Sequence, residues 1–269
     1  CQNCSYIFSE GEVIKATGHV MANGFCQNCD YSVFDYSIAD GQVTITDYNG
    51  EESVIAIPST LGGYPVVAID GAFLEDEIVT QISIPSSVIS ISDYSFLGAW
   101  YLTAITVSEE SEYFTSVDGV LFNKDKTKLI CYPMDKAGES YEIPDSVEEI
   151  GVYAFAYSTN LRQVDFPSSV TTIGAGAFMV SYIESVVLPD SVKTVGEYAF
   201  GSTTNMKYVE IGSGVESVGD NAFDGFFSAI VLPSSLTNLA KDSIYAYGDL
   251  TIYYDGTQEQ MARAQSISS

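Results

Sequence analysis

A proline followed eleven positions later by a phenylalanine recurs along this chain: Pro85 with Phe96, Pro144 with Phe155, Pro167 with Phe178, and Pro189 with Phe200. Two degenerate copies, Gly212 with Phe223 and Pro233 with Ile244, keep the same offset. From Pro144 onward, neighbouring copies step by 23, 22, 23 and 21 residues. A fixed period of this length means that each copy is one supersecondary unit stacked on the next, because a single unit cannot bury its own apolar face. The chain is therefore expected to form a solenoid with one continuous core and a modified unit at each end.

Each copy divides at the proline. Before it runs an L-x-x-V-x-L pattern, Leu161, Val164 and Phe166; Ile183, Val186 and Leu188; Met206, Val209 and Ile211, whose last two apolar positions alternate with a residue facing the other way. Alternation with period two is the mark of a strand with one buried face. Proline has no N–H to give to a ladder, so it ends the strand and turns the chain. After it come apolar pairs three apart, Val170 with Ile173, Val192 with Val195, and Val215 with Val218. Gly151, Gly174, Gly196 and Gly219 then suit a tight or positive-φ turn. An Ala-Phe pair such as Ala177-Phe178 or Ala199-Phe200 closes the unit, read as a short helical turn whose phenylalanine plugs the core.

Both ends depart from the repeat. Residues 43–57, with Gly62-Gly63-Tyr64-Pro65 and 67–73, read as an altered first unit with a longer turn. Residues 250–254 read as a last strand and 257–264 as a short closing helix. The period also breaks between Val107 and Ile143. There, 120–122 and 129–132 flank a polar tip at 123–128, the pattern of an inserted β-hairpin around 113–133.

These residues resemble the BspA-like bacterial leucine-rich repeats, whose pattern runs L-x-x-I-x-[IL]-P-x-S-V-x-x-I-G-x-x-A-F. Here it stands as Leu161-Arg-Gln-Val-Asp-Phe-Pro-Ser-Ser-Val-Thr-Thr-Ile-Gly-Ala-Gly-Ala-Phe178. Ser116-Val-Asp-Gly-Val-Leu-Phe-Asn123 and Ile252-Tyr-Tyr-Asp-Gly-Thr-Gln-Glu-Gln260 are similar to further segments of that family. The cysteine that often follows Ala-Phe in the family is absent, with Ser202 or Asp224 nearby instead. The likeness covers about residues 37–264. It implies a right-handed leucine-rich-repeat solenoid, mainly β with short helical turns, of about 22–23 residues per repeat. It also implies a bacterial extracellular or cell-surface protein, an association with adhesion, and no shared catalytic residues.

Residues 1–36 form a separate small module. Cys1-Gln-Asn-Cys4 and Cys26-Gln-Asn-Cys29 are two C-x-x-C pairs, able to supply four thiolates to a structural zinc, with His19 as an alternative ligand. Disulfides are the competing reading for an exported protein, and free thiols a third. A module this short lacks the area for a core of its own and needs such a crosslink. Cys131 reads as a small buried side chain.

Charge narrows the partners. With 36 acidic residues against 10 basic ones, the formal net charge is −26. Nucleic acid and anionic lipid need clustered Lys and Arg, so both are poor partners. No apolar run reaches the roughly 18 residues of a membrane span. The opening residue is Cys1 rather than Met, as expected of a mature or excised fragment. Catalysis is not expected: His19 is the one histidine, and acidic pairs such as Glu109-Glu110 and Glu148-Glu149 read as solvated turns rather than a glycosidase couple.

The strand residues between the buried positions are expected to line the concave face of the solenoid. They are Gln81, Ser83, Thr106, Arg162, Gln163, Asp165, Glu184, Ser185, Lys207, Tyr208 and Glu210. A broad mixed surface suits a protein partner. A glycan is the alternative, although Tyr208 is the one aromatic platform among these positions. Lys124, Lys126, Lys128 and Lys136 cluster at the insertion, either to steer an acidic ligand or to guard an edge strand. The expected function is an extracellular protein-interaction module, without cofactor beyond the structural zinc. The competing reading is a spacer within a larger surface protein.

Overall fold

The computed structural model describes residues 32–236, 239–240, 242–254 and 256–257, with the backbone of the short pair Met21–Ala22 and Phe25–Cys26. The proposed ligands Cys1, Cys4, Cys26, Cys29 and His19 lie outside the residues whose side chains are described, as does most of the expected closing helix at 257–264.

Nine short strands, one from each coil, make the first row: Val54–Ala56, Gln81–Ile84, Ala104–Val107, Ser140–Glu142, Gln163–Asp165, Ser185–Val187, Tyr208–Glu210, Ala229–Leu232 and Thr251–Tyr254. Paired neighbours are parallel, with registers such as Ser185↔Tyr208 and Thr106↔Ser83. Parallel strands need a crossover, and here the rest of the coil is that crossover. Alternation holds along most of the row, where Ile82, Ile105, Val164, Val186, Val209 and Ile230 point inward and are buried; in the last strand the matching Ile252 is exposed.

A second row follows each proline. Glu149–Ile150, Thr172–Ile173, Thr194–Val195 and Ser217–Val218 pair in parallel, stacking Ile150, Ile173, Val195 and Val218 inside the solenoid. Of the two readings, a tight or a positive-φ turn, the second does not hold, since the glycines after these strands do not have positive φ. They serve close approach instead. A Cβ on Gly174 would meet the Val152 nitrogen at 2.7 Å, one on Gly196 the Ala175 nitrogen at 2.5 Å, and one on Gly219 the Glu197 nitrogen at 2.5 Å. The missing side chain lets successive coils touch backbone to backbone.

The Ala-Phe segment is the main correction to the sequence reading, since there is no helix among the described residues. Left-handed residues flank Phe155, Phe178 and Phe200 on both sides instead, and precede Phe223. Tyr153, Gly176, Tyr198 and Asn221 stand two before it with φ of 51–59°. Tyr157, Val180 and Ser202 stand two after it with φ of 56–59°. Alternating hands turns every second amide along the solenoid axis. Tyr153, Phe155 and Tyr157 then donate their N–H groups to Ala175, Ala177 and Met179 of the next coil at 3.0, 2.7 and 2.8 Å. A helix would close those bonds within its own turn. The bonds between coils offset the strain of non-glycine residues in this region, of order 1–2 kcal/mol each.

The plug itself is as expected. Phe155, Phe178, Phe200 and Phe223 are fully buried and stack with centroids 4.7, 5.0 and 5.2 Å apart and planes within 8° of parallel.

The insertion is a three-stranded meander. Phe114–Val117 turns through Asp118 and Gly119, both at positive φ, into Val120–Asn123. This is the two-residue turn that matches strand twist. Val120–Asn123 pairs antiparallel with Lys128–Cys131, which continues the second row by pairing in parallel with Glu149–Ile150. Val120, Leu121 and Phe122 are all buried. Leu121 faces a core formed by residues 34–121, whereas Val120 and Phe122 face a second core formed by residues 120–239. One strand thus separates two cores, each lined by alternate residues. At the front, Phe34–Ala39 and Gln42–Tyr48 form an antiparallel hairpin whose second strand pairs with Tyr64–Ile69.

Candidate functional site

The first strand row fixes where its outward side chains go. Because strands pair in register, Ser185, Tyr208, Ala229 and Thr251 fall on one line across the row. Val187, Glu210, Val231 and Tyr253 fall on the next. In the front half, Gln81 lies beside Ala104 and Ser83 beside Thr106, whose hydroxyls are 2.9 Å apart. All eleven residues expected on this face are exposed or half-buried.

Much of this polar surface is internally paired. The Lys207 ammonium donates to Glu184 Oε2 at 2.7 Å. The Gln163 amide donates to Asp165 at 2.9 Å, and the Tyr208 hydroxyl to Glu210 at 2.7 Å. Arg162 lies over the Tyr182 ring, 5.2 Å from its centroid, and also donates to the Thr159 carbonyl. Hydrogen bonding from Lys207, then its charge, holds the Glu184 carboxyl below its ordinary value, with a smaller contribution from Arg162. Glu210 raises the Tyr208 phenol by accepting its proton in a hydrogen bond. Both groups keep their ordinary charge at neutral pH. Val187 and Tyr253 stand exposed among these polar groups.

The insertion lysines hold the insertion down. Lys124 donates to the Ser111 carbonyl, Lys136 to the Asp118 carbonyl, and Lys128 pairs with Glu149 at 2.8 Å. Among the described residues no group of three or more His, Cys, Asp or Glu is placed to hold a metal ion. Burial pushes the Cys131 thiol up to about 12, so it stays protonated. No helix among the described residues is long and apolar enough to cross a membrane.

A second feature lies off the strand face, where sequence reasoning did not look. In the last coils the Ala-Phe turn opens into a strand, Phe223–Gly225, paired in parallel with Ile244–Ala246. Phe226 follows that strand with 59 % of its surface exposed. Its ring stacks on Tyr247 at 4.9 Å, and Tyr247 meets Tyr245 edge to face at 5.1 Å. Phe226 also walls an open depression of about 330 Å³, lined besides by Glu184, Thr204, Asn205, Met206 and Lys207. The signal was present as Tyr245-Ala-Tyr247, an alternation of the kind a strand carries.

The model of the BspA type leucine-rich-repeat region matches residues 69–135 and 134–251, in six copies. No curated protein matches the sequence. Among solved structures, the fold is similar to a leucine-rich cell-surface protein of Faecalibacterium prausnitzii, with 20 % identity and a TM-score of 0.60 over 86 % of this chain and 96 % of that one. It is similar to a leucine-rich-repeat protein of Eubacterium ventriosum, with 21 % identity and a TM-score of 0.62 over 80 % of each chain. The pneumococcal vaccine antigen PcpA matches with 24 % identity and a TM-score of 0.61, over 84 % of this chain and 65 % of that one. With the family model spanning most of the coils, the chain belongs to the BspA type leucine-rich-repeat family.

Proposed function

We propose that this chain is an extracellular interaction module of a bacterial surface protein, and that the outward face of the first strand row binds a protein partner. One observation carries the reading. The row sets side chains of mixed polarity at fixed intervals along strands whose inward residues are locked in the core. Such a surface is rigid before a partner arrives, so little ordering cost is left for binding. The structural relatives named for the cell surface and as a vaccine antigen support the location.

The internal pairing of Lys207 with Glu184, and of Tyr208 with Glu210, favours a second reading. A face whose groups already satisfy one another suits a spacer in a longer surface protein. Binding of the purified chain to extracellular-matrix proteins and mucin at physiological salt separates the two. An interaction module gives a saturable hit that the combined variant Arg162→Ala, Lys207→Ala, Tyr208→Ala removes while its Tm stays within a few degrees of the parent. A spacer gives no saturable hit.

The two C-x-x-C pairs belong to the same proposal as a structural zinc site. One zinc per chain by elemental analysis, released together with four titratable thiols, is the expected result; thiols that appear only on reduction point to disulfides.

A further inference from the structure

We infer that Phe226, Tyr247 and the depression beside them form a binding site for a neutral oligosaccharide of pyranose rings, adjoining the strand face at Glu184 and Lys207.

The argument begins with the aromatic cluster. An exposed phenylalanine loses nothing by being replaced with a polar residue unless something covers it. Here three large rings are exposed together, Phe226 at 59 % and Tyr245 and Tyr247 at 53 % each. They support one another, since Tyr247 stacks on Phe226 and Tyr245 abuts Tyr247. This mutual packing fixes the rings before any ligand binds. A pyranose ring presents apolar C–H groups on its face and hydroxyls on its rim, and an exposed aromatic ring is the apolar half of a match to it.

The polar half lies beside it. The Thr204 hydroxyl and the Asn205 amide line the depression and make no hydrogen bond to a described residue. Each can both donate and accept, as a sugar hydroxyl requires. Glu184 and Lys207 close the set. Their ion pair neutralises both, yet leaves carboxylate lone pairs and ammonium protons for further bonds. At about 330 Å³ the depression stands at the small end of the range for small-ligand clefts, roughly 300–1,000 Å³.

Charge and geometry select among ligands. A formal net charge of −26 disfavours sialylated or sulfated sugars, and Lys207 is already neutralised. A quaternary ammonium needs rings set apart around it, whereas Phe226 and Tyr247 at 4.9 Å cover each other. A neutral glycan fits both constraints.

The test is titration of the full chain with N-acetyllactosamine oligomers, chitotetraose and maltotetraose, together with a sialylated N-acetyllactosamine. At least one neutral probe is expected to bind saturably, and its sialylated form more weakly. Phe226→Ala is expected to weaken binding roughly tenfold, the scale of one lost aromatic contact. Phe226→Tyr is expected to retain it. Asn205→Ala is expected to weaken binding without lowering the Tm, which keeps the test alive should Phe226→Ala fold poorly. Tyr101→Ala, an exposed aromatic on another turn, is expected to change nothing. The proposal is overturned if no neutral probe binds the parent chain, or if binding is indifferent to Phe226 and Asn205. It is also overturned if Phe226→Ala abolishes capture of a matrix protein while no glycan binds, since the cluster is then a protein hot spot. Because Lys207 lines both the strand face and the depression, the separating variant is Arg162→Ala with Tyr208→Ala, which leaves the depression intact: loss of matrix binding with glycan binding kept shows that the two proposals fail separately.

Discussion

The two cores on either side of Leu121 are built from the same repeat at different spacings. In the rear half, Phe155, Phe178, Phe200 and Phe223 stack 4.7–5.2 Å apart, and glycine follows the second-row residues Ile150, Ile173, Val195 and Val218. In the front half, Phe73 and Phe96 stand 5.9 Å apart, with Tyr48 another 5.9 Å before them. There the position of those glycines is held by Asp70 and Ser92. Tyr94 donates to Asp70, and Ser92 bonds Ser95, whose hydroxyl also donates to the Ile69 carbonyl at 3.0 Å. One half brings coils together by removing a side chain, and the other bridges them with polar groups. The backbone bonds between coils at this position are nevertheless alike, 2.8 and 3.0 Å from the Asp70 and Ser92 N–H groups and 2.8 Å from those of Gly174 and Gly196, so the wider front spacing belongs to the rings.

The largest effect separates the halves by their plugs. Phe178→Ala removes a ring that meets Phe155, Phe200 and Phe166, and is expected to cost about 3–5 kcal/mol. Phe96 stacks on Phe73 alone among aromatic rings, so Phe96→Ala should fall at the low end of that range, near 3 kcal/mol. Denaturant titration of both variants measures the difference. Equal costs mean that ring stacking adds nothing to area burial, and the spacing comparison loses its energetic meaning.

Leu121→Ala tests the boundary itself. Its side chain belongs to the front core although its neighbours Val120 and Phe122 belong to the rear one. The expected cost is about 2–4 kcal/mol. Hydrogen exchange should show protection lost over 34–121 more than over 140–232, because coils couple chiefly to their neighbours. Uniform loss along the chain means that the two cores unfold as one.

How much of this was legible in the sequence follows from the same contrast. Where the repeat is strict, residue type alone placed Val164, Val186 and Val209 inward and Gln163, Ser185 and Tyr208 outward, because a strand admits one alternation. The Ala-Phe turn was misread because a four-to-six-residue segment has no period to count. Its left-handed residues include Tyr153, Tyr198 and Val180, which carry no glycine signal. Their conformation is imposed by bonds to the next coil, a tertiary cause that local sequence does not display. The glycines were seen, but their reason was a neighbour 21–22 residues away, not their own φ. The aromatic cluster at Phe226 was missed for a related cause: the paired strands that carry it replace the Ala-Phe turn of the other coils.

Gly196→Ala tests that reason. Its Cβ would lie 2.5 Å from the Ala175 nitrogen, and backbone has little room to yield. The substitution is expected to cost about 1–3 kcal/mol, the usual range for overpacking. Gly248→Ala is the control, because nothing lies within 4 Å of its Cβ and its φ is ordinary. It should be neutral or stabilise by up to about 1 kcal/mol through the unfolded chain. If both variants melt alike, glycine in the second row is not there for spacing.

The smallest effect has the opposite sign. Three residues after Phe155, Phe178 and Phe200 the chain buries a small polar side chain, Ser158, Ser181 or Thr203. This is one position beyond Ser202, where the sequence comparison with the family's cysteine had looked. Thr203 donates to the Phe200 carbonyl at 3.1 Å, but the Ser158 and Ser181 hydroxyls find no partner among the described residues. A buried hydroxyl without a partner keeps its desolvation cost and gains no bond in return. Ser181→Ala is therefore expected to raise stability by about 1 kcal/mol, whereas Thr203→Val, which breaks a bond and orphans no other donor, should lower it by about the same amount. Thermal melts of the two variants check the pair. A destabilised Ser181→Ala would mean that its hydroxyl is bonded in solution, and that the small buried residue at this turn is held by polarity rather than by size.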